Sequence, residues 1–171
     1  MGAAFGHGST EGSRVAEMNM PSMKPVLIST KGKSWWERFL LVFARRKWEL
    51  SEDWHYKLPN GTPIIIQKGF IFDGASVPRV FWWLPGLSPT GILFIPGLIH
   101  DFAYANRSLR MPLKDTLVKY GYLEKRRYWD KLFRQVGTAV NGVYLIDWVA
   151  WFCLLIGGWH AWRSHRREED G

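Results

Sequence analysis

A histidine and an aspartate stand side by side in the apolar stretch "IPGLIHDFAYANRSL", residues 95–109, and a tyrosine follows four residues after the histidine. Histidine changes charge near neutral pH and serves as a general base, while an aspartate orients such a base or holds a metal ion. On an α-helix, residues four apart share a face and neighbours point about 100° apart. His100 and Tyr104 therefore align, and Asp101 projects to the side. Gly97, just upstream, lets another segment approach closely.

Three readings use this arrangement. In the first, His100 is a general base on water, a carboxylate from another helix fixes its tautomer, and Asp101 holds a calcium ion that polarises an ester carbonyl. Asp130, in "YWDKLF", is the helical carboxylate available, and antiparallel packing of its helix would bring it to His100. Calcium takes roughly six to eight oxygens, so carbonyls from the preceding "LPGLSPTG" loop would have to complete its shell. In the second, His55, His100-Asp101 and Asp130 form the ordered ligand set of a metal-dependent phosphohydrolase. That fold is all helical, whereas here a hairpin and a proline-rich loop separate His55 from the doublet. In the third there is no catalysis, and His100, Asp101, Tyr104 and Asp130 form a buried hydrogen-bond network that fixes how two helices cross. A nucleophilic triad is not supported, since Ser76 sits in no strand-to-helix elbow and Cys153 has no base upstream.

The elements that must position these residues follow from periodicity and turn chemistry. "SWWERFLLVFARRKWEL", 34–50, has near-helical apolar spacing, and Ser34 with Glu37 fits a capping box. Its basic end makes it either a core-packed helix or one that lies on a membrane. "HYKLPNGTPIIIQKGFIF" reads as extended structure turning at Asn60-Gly61, with "PIIIQ" and "GFIF" as short strands. Residues 73–91 are rich in Gly, Pro and Ser around the aromatic patch Phe81, Trp82 and Trp83, and prolines at 78, 85 and 89 forbid a regular ladder. A helix then starts at Pro96-Gly97 and stops near Asn106. "PLKDTLVKYGY" carries a short turn or helix. "LEKRRYWDKLFRQVGTAV" is a second long helix with Tyr128, Leu132, Val136 and Val140 on one face. The apolar run 142–162 is either a buried or interfacial helix packed as a hairpin or a membrane span, with Asp147 and Gly157-Gly158 weighing against the span. The expected architecture is α+β: a short antiparallel hairpin or sheet, then a packed helical hairpin carrying the His-Asp helix, plus an apolar C-terminal helix. Residues 1–33 read as a flexible arm without a secretory leader, 34–162 as one domain and 163–171 as a charged tail.

Composition bounds the partners. The net charge of +8 suits an anionic partner, and the 11 tryptophans suit an interface or a bilayer surface. The basic clusters do not interleave with glycines or aromatics as single-strand binders do, so no specific nucleic-acid recognition is expected. A single cysteine, Cys153, excludes a disulfide-stapled secreted domain.

"HDFAY" resembles the H-D-x-x-Y helix of phospholipases A2, closest to the cysteine-free versions such as that of parvovirus capsid proteins. The resemblance implies His100 as the base that activates water, Asp101 as the calcium ligand, and Tyr104 bonded to a helper aspartate that Asp130 matches best. The tyrosine-glycine-x-glycine calcium loop of that superfamily is absent. A longer resemblance runs from about residue 48 to 160. "GFIFDGASVPRVFWWL", "GLIHDFAY", "WDKLF" and "GGWHAW" arrive in the order seen in the phage and prophage family called domain of unknown function 1353. It adds Asp73, Ser76 and Arg79 as candidates near the same site. It also implies a phage-borne protein, in the virion or in the host cell, peripheral to or spanning the inner membrane. The expected function is calcium-assisted hydrolysis of a phospholipid ester. Phe81, Trp82, Trp83 and the basic helix would seat the chain on anionic lipid, and other virion proteins are further partners.

Overall fold

The computed structural model describes residues 20–41, 46–73 and 91–167, with side chains through residue 155. Strand β1 (Met23–Pro25) is followed by helix α1 (Trp35–Leu41), then by strands β2 (Trp48–Leu50), β3 (Trp54–Lys57), β4 (Pro63–Ile66) and β5 (Ile71–Phe72). Helix α2 (Phe94–Asn106), the hairpin of β6 (Leu109–Leu113) and β7 (Thr116–Tyr120), helix α3 (Arg126–Asn141) and helix α4 (Tyr144–Arg167) complete the chain. The class is α+β, with two small antiparallel sheets ordered β1-β2-β5 and β3-β4-β6-β7.

Asn60-Gly61 closes the β3–β4 hairpin. Gly61 takes a φ of +86°, and the Asn60 side chain accepts from the Thr62 amide at 3.1 Å. Past β4, Gly69 at φ +83° redirects the chain. The two runs read from the sequence as neighbouring strands therefore part company, β4 pairing with β3 and β6 while β5 pairs with β2. Ile64, Ile65 and Ile66 are all buried, so β4 is covered on both faces and cannot alternate as a half-exposed strand would. The segment read as a short turn or helix after α2 is instead the β6–β7 hairpin, with Leu113 opposite Thr116. Lys114 takes the positive φ (52°) that this two-residue connection demands.

The main core joins Leu50 and Phe72 of one sheet, Trp54, Ile64 and Ile66 of the other, the apolar face of α2, and Trp129, Leu132 and Val136 of α3. Every residue of α2 from Ile95 to Tyr104 is buried except Asp101, because the helix has strand, loop and helix on its sides. A smaller cluster of Leu93, Phe133, Ala150 and Leu154 ties in α4. No helix among the described residues is long and apolar enough to cross a membrane. The apolar run 142–162 lies within α4 and its two preceding residues, and Asp147 is turned inward and fully buried. Asn141 and Thr138 of α3 donate to the Asp147 carboxylate at 3.0 and 3.2 Å. Cys153 is free and buried.

The α1 capping box forms as its spacing predicts, with Ser34 and Glu37 bonded reciprocally. Yet α1 buries none of its residues, and Trp35, Trp36, Phe39 and Leu40 stay exposed. The core-packed alternative for this helix is not what the structure has.

Candidate functional site

The site is built where the middle of α2 meets the first turns of α3. Pro96 occupies the first turn of α2, where its missing amide costs nothing. The helix ends at Asn106, whose side chain donates back to the Phe102 carbonyl at 2.9 Å, and Arg107 takes the left-handed conformation. In α3 the residues at 129, 132, 133, 136 and 137 form the buried stripe, and Asp130 is buried within it. A fully buried carboxylate is expensive unless it is paired and hydrogen-bonded.

His100 and Tyr104 supply that pairing. His100 Nε2 lies 3.2 Å from Oδ1 of Asp130, and the Tyr104 hydroxyl donates to the same oxygen. On the other side of the ring, Nδ1 lies 3.3 Å from Oδ1 of Asp101. The ring packs on Tyr104 at 4.0 Å and takes the edge of Phe133 at 5.7 Å. His100 is 4% exposed and Asp130 not at all. The Asp101 side chain is 19% exposed, so solvent meets the group there.

Carboxylate oxygens of ionised aspartates only accept, so both bonds to the ring are satisfied together only by the doubly protonated imidazolium. Burial disfavours that charge, but the hydrogen bonds and negative charge of Asp101 and Asp130 outweigh it and raise the pKa above the usual histidine value. Burial first, and then Asp130, push the Tyr104 hydroxyl far above its ordinary range, so it remains a donor. Arg126, one turn before Asp130, brings Nε to 3.7 Å from Oδ2. Its Nη1 and Nη2 donate to the Leu154 and Leu155 carbonyls of α4, each at 3.3 Å. The two carboxylates thus face Arg126 and, when it is protonated, His100. Among the described residues, Asp130 Oδ2 still has no hydrogen-bond donor, nor Trp129 Nε1 an acceptor.

His100, Asp101, Tyr104 and Asp130 are brought together as their spacing predicts. Asp73 follows β5 directly and is half-buried, while Ser76, Arg79, Phe81, Trp82 and Trp83 lie outside the described residues. His55 is exposed on β3, opposite Ile65. No three His, Cys, Asp or Glu side chains are grouped to hold a metal ion among the described residues. The sequence does not single out Arg126, which reads there as one more member of a basic run. Its signal is the four-residue spacing to Asp130.

The chemistry open to this group is that of an oriented base. With a proton kept on Nε2 for Asp130, the other ring nitrogen takes a proton from water once the imidazolium has given up its Nδ1 proton and Asp101 moves aside.

Comparison with known proteins places these residues in a family. A stretch of 71 residues is 32% identical to the Uncharacterized protein y4jT of Sinorhizobium fredii (strain NBRC 101917 / NGR234), covering 42% of this chain and 21% of that protein. The chain thus spans about a fifth of the length of that relative. No solved structure matches. Residues 48–154, which hold all four residues of the site, match the family described as Protein of unknown function (DUF1353), and the chain belongs to that family.

Proposed function

We propose that this chain is a phage- or prophage-borne hydrolase of phospholipid esters, similar in its chemistry to phospholipases A2, with His100 as the general base. One observation carries the reading: a single oxygen of Asp130 is shared by His100 Nε2 and the Tyr104 hydroxyl, which locks the ring with Nε2 towards the buried carboxylate. Nδ1 then points to the less buried side, where a water would stand when the Asp101 carboxylate rotates away. His100 takes a proton from that water, the oxygen attacks the ester carbonyl, and the proton passes to the departing alcohol as the tetrahedral intermediate collapses. Asp130 and Tyr104 position the ring, and Arg126 balances the charge of Asp130.

A calcium ion at Asp101, to polarise the ester carbonyl, belongs to this proposal through the resemblance. The described residues do not amount to a calcium site, because no three of their His, Cys, Asp or Glu side chains are grouped for an ion that needs roughly six to eight oxygens. No step is derived through the ion. The phospholipid surface is the proposed partner, with other virion proteins beside it, and the site of action is the virion or the host cell at its inner membrane. The exposed aromatic helix α1, flanked by Lys31, Lys33, Arg46 and Lys47, supports that surface.

A second reading has its own support. Both ring nitrogens of His100 are occupied and the ring is buried, as in a network that pins α2 on α3 in a non-catalytic phage structural protein. The two readings separate in one assay of fatty-acid release from phospholipid vesicles, with and without calcium. Release by wild type that is lost in His100→Ala supports hydrolysis. Equal release by both ends His100 as the base, and no release by folded wild type leaves the structural network.

A further inference from the structure

Helix α4 carries its apolar residues on both sides. Asp147, Ala150, Cys153 and Leu154 face inward and are buried. The outward stripe is Tyr144, Leu145, Trp148 and Phe152, at 68, 74, 53 and 57% exposure. An outward face of a surface helix is ordinarily polar, and single exposed apolar residues need no explanation. Four on one face, with Tyr144, Trp148 and Phe152 four apart and Leu145 three before Trp148, make a patch of the kind that marks an interaction surface.

The stripe borders a groove of about 550 Å³ between α3, the start of α4 and the β3–β4 turn. Asn60, the Tyr128 hydroxyl, Gln135, Thr138 and Arg134 give it polar groups. Its floor is stiff: Asn60 donates to the Tyr120 hydroxyl at 3.0 Å, which lies 2.8 Å from that of Tyr128. The Arg134 guanidinium sits 4.8 Å above both the Trp148 and Trp151 rings, held at the boundary between groove and stripe. An apolar strip that includes the Trp148 indole, edged by a cation and a hydrogen-bonding groove, matches the layering of a lipid interface. Acyl chains meet the strip, and anionic headgroups meet the arginine. The net charge of +8 favours an anionic bilayer over a second copy of this equally basic chain.

We propose that the outward face of α4 is a docking surface for anionic phospholipid bilayers, with Leu145, Trp148 and Phe152 in the acyl boundary and Arg134 against the headgroups. It deepens the lipid reading above, through different residues, and does not require hydrolysis.

The test is flotation of the full chain with vesicles of phosphatidylcholine, alone or with phosphatidylglycerol. Leu145 and Phe152 contribute nothing to the buried core, so L145S/F152S is expected to keep the wild-type circular dichroism spectrum and urea midpoint, and R134Q, which gives up its contacts with the Trp148 and Trp151 rings, to keep the far-ultraviolet spectrum with a slightly lower midpoint. Wild type floats with anionic vesicles, and L145S/F152S loses about tenfold or more in partitioning, as removal of two inserted apolar side chains requires. R134Q loses about fivefold on anionic vesicles alone, the value of one basic residue at such a surface. Equal flotation of L145S/F152S and wild type, or no flotation of wild type, overturns the proposal. So does a wild-type dimer in sedimentation velocity that L145S/F152S dissociates while neither binds vesicles. Wild type that floats by this face yet releases no fatty acid would end the hydrolysis reading and leave the docking surface standing.

Discussion

A β-carbon added at Gly137 of α3 would run into Oδ1 of Asp147 on α4 and come within 2.9 Å of its Cγ. The carboxylate cannot swing away without giving up Asn141 and Thr138. Gly137 therefore stands there because α4 lays a buried carboxylate where a side chain would be. Gly137→Ala is expected to destabilise the fold by about 1–3 kcal/mol, the usual cost of overpacking, read as a lower urea midpoint. The double variant with Asp147→Ala is expected to cost less than the sum of the two single changes, because the first clash vanishes with the carboxylate. Additive costs would show that the two helices part freely at this point.

The raised pKa of His100 fixes the sign of a pH effect. A group that binds its proton more tightly when folded contributes stability that is full below its unfolded pKa and is lost as pH rises through the folded one. For His100 the loss starts near the ordinary value of 6.5 and runs upward. Wild type is expected to unfold at lower urea at pH 9 than at pH 6. Among the five histidines, the NMR signal absent from His100→Gln is expected to titrate above the usual histidine midpoint. A midpoint at or below 6.5 would show that burial, and not the carboxylates, governs the ring. If His100 is the base of a hydrolase, release of fatty acid is expected to rise with pH over the same window.

Burial ranks the two aspartates. Asp130 is fully buried between His100, Tyr104 and Arg126, whereas Asp101 reaches solvent. Asp130→Ala strands a buried imidazolium and is expected to cost about 3–5 kcal/mol, while Asp101→Ala breaks a partly exposed pair and is expected to cost about 1 kcal/mol or less. Tyr104→Phe keeps the ring and removes one donor from Asp130, for about 1–2 kcal/mol. Urea unfolding of the three variants checks the order, and a costlier Asp101 variant would reverse it.

Much of this site is legible without coordinates, for reasons that are local. The four-residue step from His100 to Tyr104 is a property of any helix, and Asp130 is the helical carboxylate in the stretch that follows. Asn60-Gly61 and the Ser34–Glu37 box also report on themselves. What escapes is set by distance along the chain. The split into two sheets depends on β5 finding β2 across more than twenty residues, and no local pattern records that pairing. The β6–β7 hairpin hides because Pro112 sits inside its first strand and Lys114-Asp115, without glycine, makes its turn. Burial of His100 on every side depends on what α3 and its other neighbours bring, and the apolar period of α2 alone cannot announce it.

Gly121 and Gly142 allow the backbone cost of a residue to be separated from its steric cost. Both take a left-handed φ, +70° and +67°. A β-carbon at 142 would meet nothing within 4 Å, whereas one at 121 would lie 2.6 Å from Cη2 of Trp129. That indole is 1% exposed and wedged in the core beside Asp130, so it has nowhere to go. Gly142→Ala is expected to cost only the left-handed strain, about 1–2 kcal/mol. Gly121→Ala is expected to exceed it by a further 1 kcal/mol, roughly, because the indole or the chain before α3 must shift. Near-ultraviolet circular dichroism should change for the 121 variant and not for the 142 variant, since the disturbed group is a tryptophan. Equal urea midpoints for the two would mean that the segment before α3 yields without moving Trp129, and that the start of the helix carrying Asp130 is softer than its packing indicates.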